Sequence, residues 1–193
     1  MTSLPLSCIV AILGLAGADP PHRASRLAVI RAAPDSALVD ADGKAVTLKQ
    51  FRGKAVLVSF IFTTCNGSCP ATTHRLAKIQ AEAAGRAELK DKVQFVSITL
   101  DPERDTPARL REYMQLYEID APNWCFLSGA KDVVNKTVAE WGMWARPAAN
   151  GQLDHPSRVF LVDPKGRVRE VYNLDFLRTA WVVEDVGLVL KEP

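Results

Sequence analysis

The stretch AVLVSFIFTTCNGSCPATTHRLAKIQAEAAG, residues Ala55–Gly85, decides how the chain is read. Its first part, Ala55–Phe62, is a nearly unbroken apolar run rich in β-branched and aromatic residues. That pattern belongs to a central strand buried on both faces. The run stops at two threonines, and two cysteines follow with Asn66, Gly67 and Ser68 between them. From Pro70 to about Gly85 the spacing of Leu76, Ile79 and Ala83 predicts a helix, with proline in its first turn and Gly85 as its stop. Cys65 and Cys69 thus sit where a buried strand hands over to a helix. Free amides and the positive helix end stabilise thiolate there, and thiolate is both nucleophile and metal ligand.

Working outward, the pattern repeats. Ser36–Lys54 reads as a β-hairpin turning at Asp42-Gly43, with a loop ending at Gly53. Lys92–Leu100 is a second buried strand. Thr106 and Pro107 then start a helix with Leu110, Tyr113, Met114 and Tyr117 on one face. Trp124–Gly129 is a short strand and Lys131–Trp141 a helix that turns Val134, Val138 and Trp141 inward. Ser157–Asn173 is a hairpin around Asp163-Pro164-Lys165-Gly166, and Asp175–Leu190 is a last amphipathic helix. Strands alternating with helices predict an α/β domain with a mixed central sheet flanked by helices and preceded by a β-hairpin. In such sheets ligands gather beyond the carboxyl ends of the strands, which is where the cysteines lie.

The 193 residues, 48% hydrophobic, suit one domain with its own core. A formal charge of +2, with no basic block, gives no footing for nucleic acid. Residues 1–18 carry no charge. An apolar run, Leu4–Leu15, precedes small residues at Ala16 and Ala18, the pattern of a signal peptide cleaved after Ala18. The run is shorter than the roughly 20 residues of a membrane span, so no stretch reads as a membrane anchor. The organisation expected is a signal peptide (1–18), a loose lead-in (19–36) and one domain (37–193). Cleavage would leave Cys65, Cys69 and Cys125, an odd set that argues against a disulfide-stapled scaffold.

A metal site would need a third ligand. His22 reads as a solvated side chain and His74 as a surface histidine. His155 directly precedes the first strand of the last hairpin. If that strand enters beside Ala55–Phe62, His155 can face the cysteine loop; otherwise it is a loop histidine beside a proline. Two thiolates and an imidazole suit copper(I), whereas structural zinc takes four ligands and no fourth is evident. Cys125 and Met143 read as packing residues, as do Trp124 and Trp141.

Four segments in order resemble the Sco/SenC family of thioredoxin-fold copper chaperones: VLVSFIFTTCNGSCP, VSITLDPERDTPARLREY, WCFLSG and LDHPSRVFLVDPKGR. The resemblance spans Ala37 to about Tyr172. It implies a thioredoxin-like fold with copper held by Cys65, Cys69 and His155. Cys65 and Cys69 would double as a redox-active disulfide pair, served by a thiol–disulfide reductant. The implied partner is the copper-accepting subunit of cytochrome c oxidase, or another cysteine-containing acceptor. The implied location is the periplasm or the outer side of the inner membrane. Asp101 is expected to shape the loop beside the site.

This chain departs from the family pattern in three places. Asn66, Gly67 and Ser68 replace the usual proline and acidic residue, which predicts a more adaptable site with weaker copper retention. Pro156 constrains His155, with a cis bond a minority outcome. The short stretch between Trp141 and His155 predicts a reduced lid. A thiol–disulfide oxidoreductase remains the main alternative, and a non-enzymatic redox- or copper-sensing assembly protein a third. A peroxiredoxin is disfavoured because Val58 and Phe62 stand where its proline and threonine belong. Ligand exchange breaks no substrate bond other than a disulfide, so a metallochaperone fits better than an enzyme.

Overall fold

The structure, a computed structural model, describes residues 27–119 and 122–192. The signal-peptide reading of residues 1–18, and the reading of His22, lie outside the described residues.

The chain joins the sheet through a short strand, β1 (Arg31–Ala32), and then makes the hairpin β2 (Leu38–Asp40) and β3 (Ala45–Val46). The turn is closed by the Asp40 carboxylate, which accepts from the amides of Asp42 and Lys44, and by Gly43 at φ +80°. Next come β4 (Ala55–Ile61), α1 (Ser68–Ala84), β5 (Val93–Thr99), α2 (Pro107–Leu116), β6 (Trp124–Ser128) and α3 (Lys131–Glu140). A small two-stranded ribbon follows, β7 (Arg146–Pro147) with β8 (Leu153–Asp154). The hairpin β9 (Val159–Val162) and β10 (Arg167–Tyr172) and the helix α4 (Thr179–Lys191) complete the order.

The main sheet is ordered β1-β10-β9-β4-β5-β6-β2-β3. β4 and β5 pair in parallel from Ala55↔Val93 to Ile61↔Thr99, and every residue of both is buried, as continuous apolar runs require. β9 lies antiparallel on the other side of β4, from Val56↔Val162 to Ser59↔Val159. This pairing matters most for the site, because it carries the chain before β9 to the end of β4 where the cysteines begin. The few polar groups in the centre satisfy each other. The Trp124 indole donates to the Ser97 hydroxyl at 3.0 Å, and Ser97 shares a 2.9 Å hydrogen bond with Ser59. Phe60, Trp141 and Phe160 pack edge to face with ring centroids 4.9–6.0 Å apart.

Two sequence expectations shift. The lead-in of residues 19–36 was expected to be loose, but its later part pairs with the sheet: Ile30 and Ala33 donate to the carbonyls of Val168 and Gly166, both at 2.9 Å. A two-residue strand is too short to show a period in the sequence. The last helix starts at Thr179 rather than Asp175. Asn173 accepts from the Phe176 amide through its side chain and from the Leu177 amide through its backbone, and this local turn displaces the first helical turn.

The edge formed by β1 and β10 is fastened by ions. Arg169, only 5% exposed, donates to Asp163 at 3.0 Å and also bonds Glu192 and the Leu27 carbonyl. Arg167 adds a 2.7 Å bond to the same Asp163 carboxylate. Changing Arg169 to alanine leaves Asp163 with one fewer cation in a dry setting, and should lower unfolding free energy by about 3 kcal/mol. Urea denaturation measures this; a loss below about 1 kcal/mol would mean that Arg167 alone satisfies the carboxylate.

Candidate metal centre

The end of β4 is held in place before the cysteines appear. The Asp105 carboxylate, 1% exposed, accepts from the Thr63 amide at 3.1 Å, from the Thr63 hydroxyl at 2.6 Å, and from the Thr99 hydroxyl. Asp105 reaches this position because the Thr106 side chain caps α2 by accepting from the Arg109 amide, as the Thr-Pro pair predicts. Burial holds the Asp105 carboxyl above its usual range, although the threonine bonds oppose that shift.

Beyond Thr63 the chain turns, with the Cys65 amide donating to the Phe62 carbonyl at 3.1 Å. α1 begins at Ser68, two residues earlier than the proline suggested, so Cys69 lies within its first turn rather than before it. Cys69 is 1% exposed and Cys65 is half-buried. The Gly67 amide points at the Cys65 sulfur from 3.4 Å. His155 follows β8 directly. Its Nδ1–H donates to the Pro156 carbonyl at 3.1 Å, which leaves Nε2 facing the Cys69 sulfur at 3.7 Å. The Phe62 ring, itself buried, meets the imidazole edge to face at 5.6 Å. The His155–Pro156 peptide is trans.

The donor atoms of Cys65, Cys69 and His155 all lie within 4.8 Å of one another, and this is the group among the described residues able to share an ion. Metal–sulfur and metal–nitrogen distances of about 2.3 and 2.0 Å, about 120° apart, would separate the two donors by about 3.7 Å. Cys69 and His155 already stand at that separation. The set is soft and has three members, which fits copper(I) better than a four-ligand zinc site.

The two thiols are unequal. The neighbouring Cys69 side chain, more than any other influence, holds the Cys65 thiol well below its usual range. His155 and the amides of Cys69 and Gly67 add to it, against partial burial. Cys69 goes the other way: the neighbouring Cys65 raises its pKa most, followed by burial, and the negative charge of Asp105 adds to them. Burial disfavours a charged His155, but Cys65, the Pro156 carbonyl and Asp154 outweigh it and raise its pKa. Cys65 should therefore react with iodoacetamide at pH 6 roughly tenfold or more faster than Cys69. Peptide mass mapping after a short pulse reads the ratio, and equal labelling would contradict this division of roles.

Several side chains lie elsewhere. His74 is exposed on α1, and Met143 is 4% exposed, a core residue as expected. Trp124 and Trp141 are core residues as well, while Trp144 is 39% exposed beneath the Arg146 guanidinium. Cys125 was expected to be a buried apolar residue; it is half-buried and packs against the core, on the same β6 face as the buried Leu127. Burial still pushes its thiol up to about 12. Asp101 shapes its loop as expected, through an ion pair with Arg104. Three residues carry no sequence signal for their roles: Thr63, Phe62 and Gln152. The last belongs to the β7–β8 ribbon, the segment between Trp141 and His155. Its side chain donates to the Thr64 carbonyl at 3.0 Å and accepts from the Asn66 amide at 3.2 Å.

The sequence profile of the SCO1/SenC family matches residues 30–187. The chain belongs to the SCO1/SenC family. It is 34% identical over 135 residues to the SCO1 protein homolog of Bacillus subtilis, covering 68% of each chain. Among solved structures it is similar to a SCO1/SenC family lipoprotein of Bacillus anthracis, with a TM-score of 0.75 and 28% identity over 83% of this chain and 96% of that one. It is also similar to Bradyrhizobium japonicum ScoI, whose structure has copper bound, with a TM-score of 0.69 and 30% identity over 82% and 99%. The thioredoxin-like frame of these SCO1/SenC proteins is the one found here.

Proposed function

We infer that this protein is a copper metallochaperone for cytochrome c oxidase assembly, and that Cys65, Cys69 and His155 hold its copper(I) cargo. The observation that carries this reading is the convergence of two sulfurs and one imidazole nitrogen at separations an ion can bridge. Family membership and the copper-bound relatives support it. Loading displaces the thiol protons, so two thiolates and a neutral imidazole would leave the copper(I) site with one net negative charge. Release would start at Cys65, the half-buried ligand, where an incoming thiolate of the acceptor can replace it before the buried Cys69 lets go. The acceptor in this reading is the copper-binding subunit of the oxidase. Export completes it, supported by the apolar run Leu4–Leu15 and the small residues after it.

The depressed Cys65 thiol beside a protonated Cys69 favours a second reading, a dithiol reductant. Cys65 would attack an acceptor disulfide and Cys69 would resolve the mixed disulfide. Two electrons and two protons would pass to the acceptor while Cys65–Cys69 becomes the disulfide. One experiment separates the two readings. The copper(I)-loaded protein is mixed anaerobically with the reduced copper-binding domain of the oxidase subunit, and in parallel the copper-free dithiol is mixed with the oxidised domain. Movement of copper supports the chaperone. Reduction of the domain without any copper transfer would make this protein a reductase on the same frame.

A further inference from the structure

The loop bearing Cys65 has little to stiffen it from within. Asn66, Gly67 and Ser68 separate the cysteines, and Thr64, Asn66 and Gly67 are exposed. Its restraint comes from a distant part of the chain. Gln152 donates to the carbonyl of Thr64 at 3.0 Å and accepts from the amide of Asn66 at 3.2 Å, so one side-chain amide brackets Cys65 on both sides. Gln152 stands three residues before His155, on the strand side of the ribbon. The same two bonds therefore tie the element carrying one sulfur to the element carrying the ring nitrogen. The ribbon is itself anchored: the Gly151 carbonyl accepts from Arg104 at 2.8 Å, Arg104 is ion-paired with Asp101, and the Ala148 amide donates to the Gln152 carbonyl at 2.9 Å.

We propose that Gln152 is a positioning residue that fixes Cys65 opposite His155 and thereby sets how long the protein retains copper(I). The proposal rests on the chaperone reading above. Gln152 does the stiffening that the sequence between the cysteines does not supply, and does so with bonds that open without any change in the fold. Two ordinary hydrogen bonds to exposed backbone correspond to about a tenfold effect on release.

The test compares the full chain with Gln152→Ala, Gln152→Met and Asn150→Gly, each loaded anaerobically with copper(I) and challenged with excess bicinchoninate. Asn150→Gly changes the same ribbon at a left-handed residue that glycine accepts, and leaves both Gln152 bonds in place. Both Gln152 variants should release copper about tenfold faster than wild type, and Asn150→Gly at the wild-type rate. In the copper-free protein, amide exchange at Asn66 should quicken in the two Gln152 variants alone, with the urea midpoint unchanged. Wild-type release from both Gln152 variants, or equal acceleration by Asn150→Gly, would overturn the proposal. If wild type takes up no copper(I), the chaperone reading fails instead, and unchanged Asn66 exchange would still refute the positioning role.

Discussion

Changing Cys69 to serine should lower copper(I) affinity by more than about a hundredfold, beyond the loss typical of residues that merely support a ligand. A hydroxyl is a hard donor and a poor ligand for copper(I). The position is 1% exposed, and among the described residues no further Cys, His or carboxylate joins the group, so nothing nearby replaces the sulfur. Serine nearly matches cysteine in volume and keeps a polar hydrogen beside Cys65. Cys65 should therefore stay reactive at pH 6 in Cys69→Ser and lose that reactivity in Cys69→Ala, because the Cys69 side chain is the largest influence on it. Competition against a chromogenic copper(I) chelator measures the first effect and pulsed alkylation the second. Affinity within tenfold of wild type for Cys69→Ser would remove Cys69 from the site.

Changing Asp105 to alanine should destabilise the protein by about 3 kcal/mol. Three donors converge on this carboxylate: the Thr63 amide, the Thr63 hydroxyl and the Thr99 hydroxyl. Each would be stranded at the head of the cysteine loop. Asparagine keeps one acceptor oxygen but turns an NH2 toward donors, so Asp105→Asn should recover only part of the loss. The pH dependence follows from burial, which raises the Asp105 carboxyl in the folded state. Folding favours its protonated form, so its contribution is full below the usual value of 3.8 and declines as pH rises through the folded value. The stability gap between wild type and Asp105→Asn should accordingly narrow from pH 3.5 upward, or about that value. Urea denaturation across that range reads it. A gap that widens with pH would mean that the threonine bonds outweigh burial.

The parts of this molecule that repeat along the chain were legible in its sequence. Continuous apolar runs mark β4 and β5, and the Thr106-Pro107 cap marks the start of α2. The histidine was legible only conditionally, since His155 meets the cysteines because β9 pairs with β4, and spacing alone left that pairing open. The Asp105–Thr63 bonds span 42 residues and the Gln152–Asn66 bond spans 86, and such contacts leave no period to find. Asn173 misled the reading of α4 for a local reason: its turn competes with a helical turn whose hydrophobic spacing is otherwise sound.

X-ray absorption at the copper edge of the copper(I)-loaded protein, beside His155→Ala, reads the ligand set of Cys65, Cys69 and His155. Two sulfur neighbours at about 2.3 Å and one nitrogen at about 2.0 Å are expected, with the nitrogen lost in the variant. Two sulfurs with no nitrogen, or a spectrum that His155→Ala leaves unchanged, would contradict that ligand set.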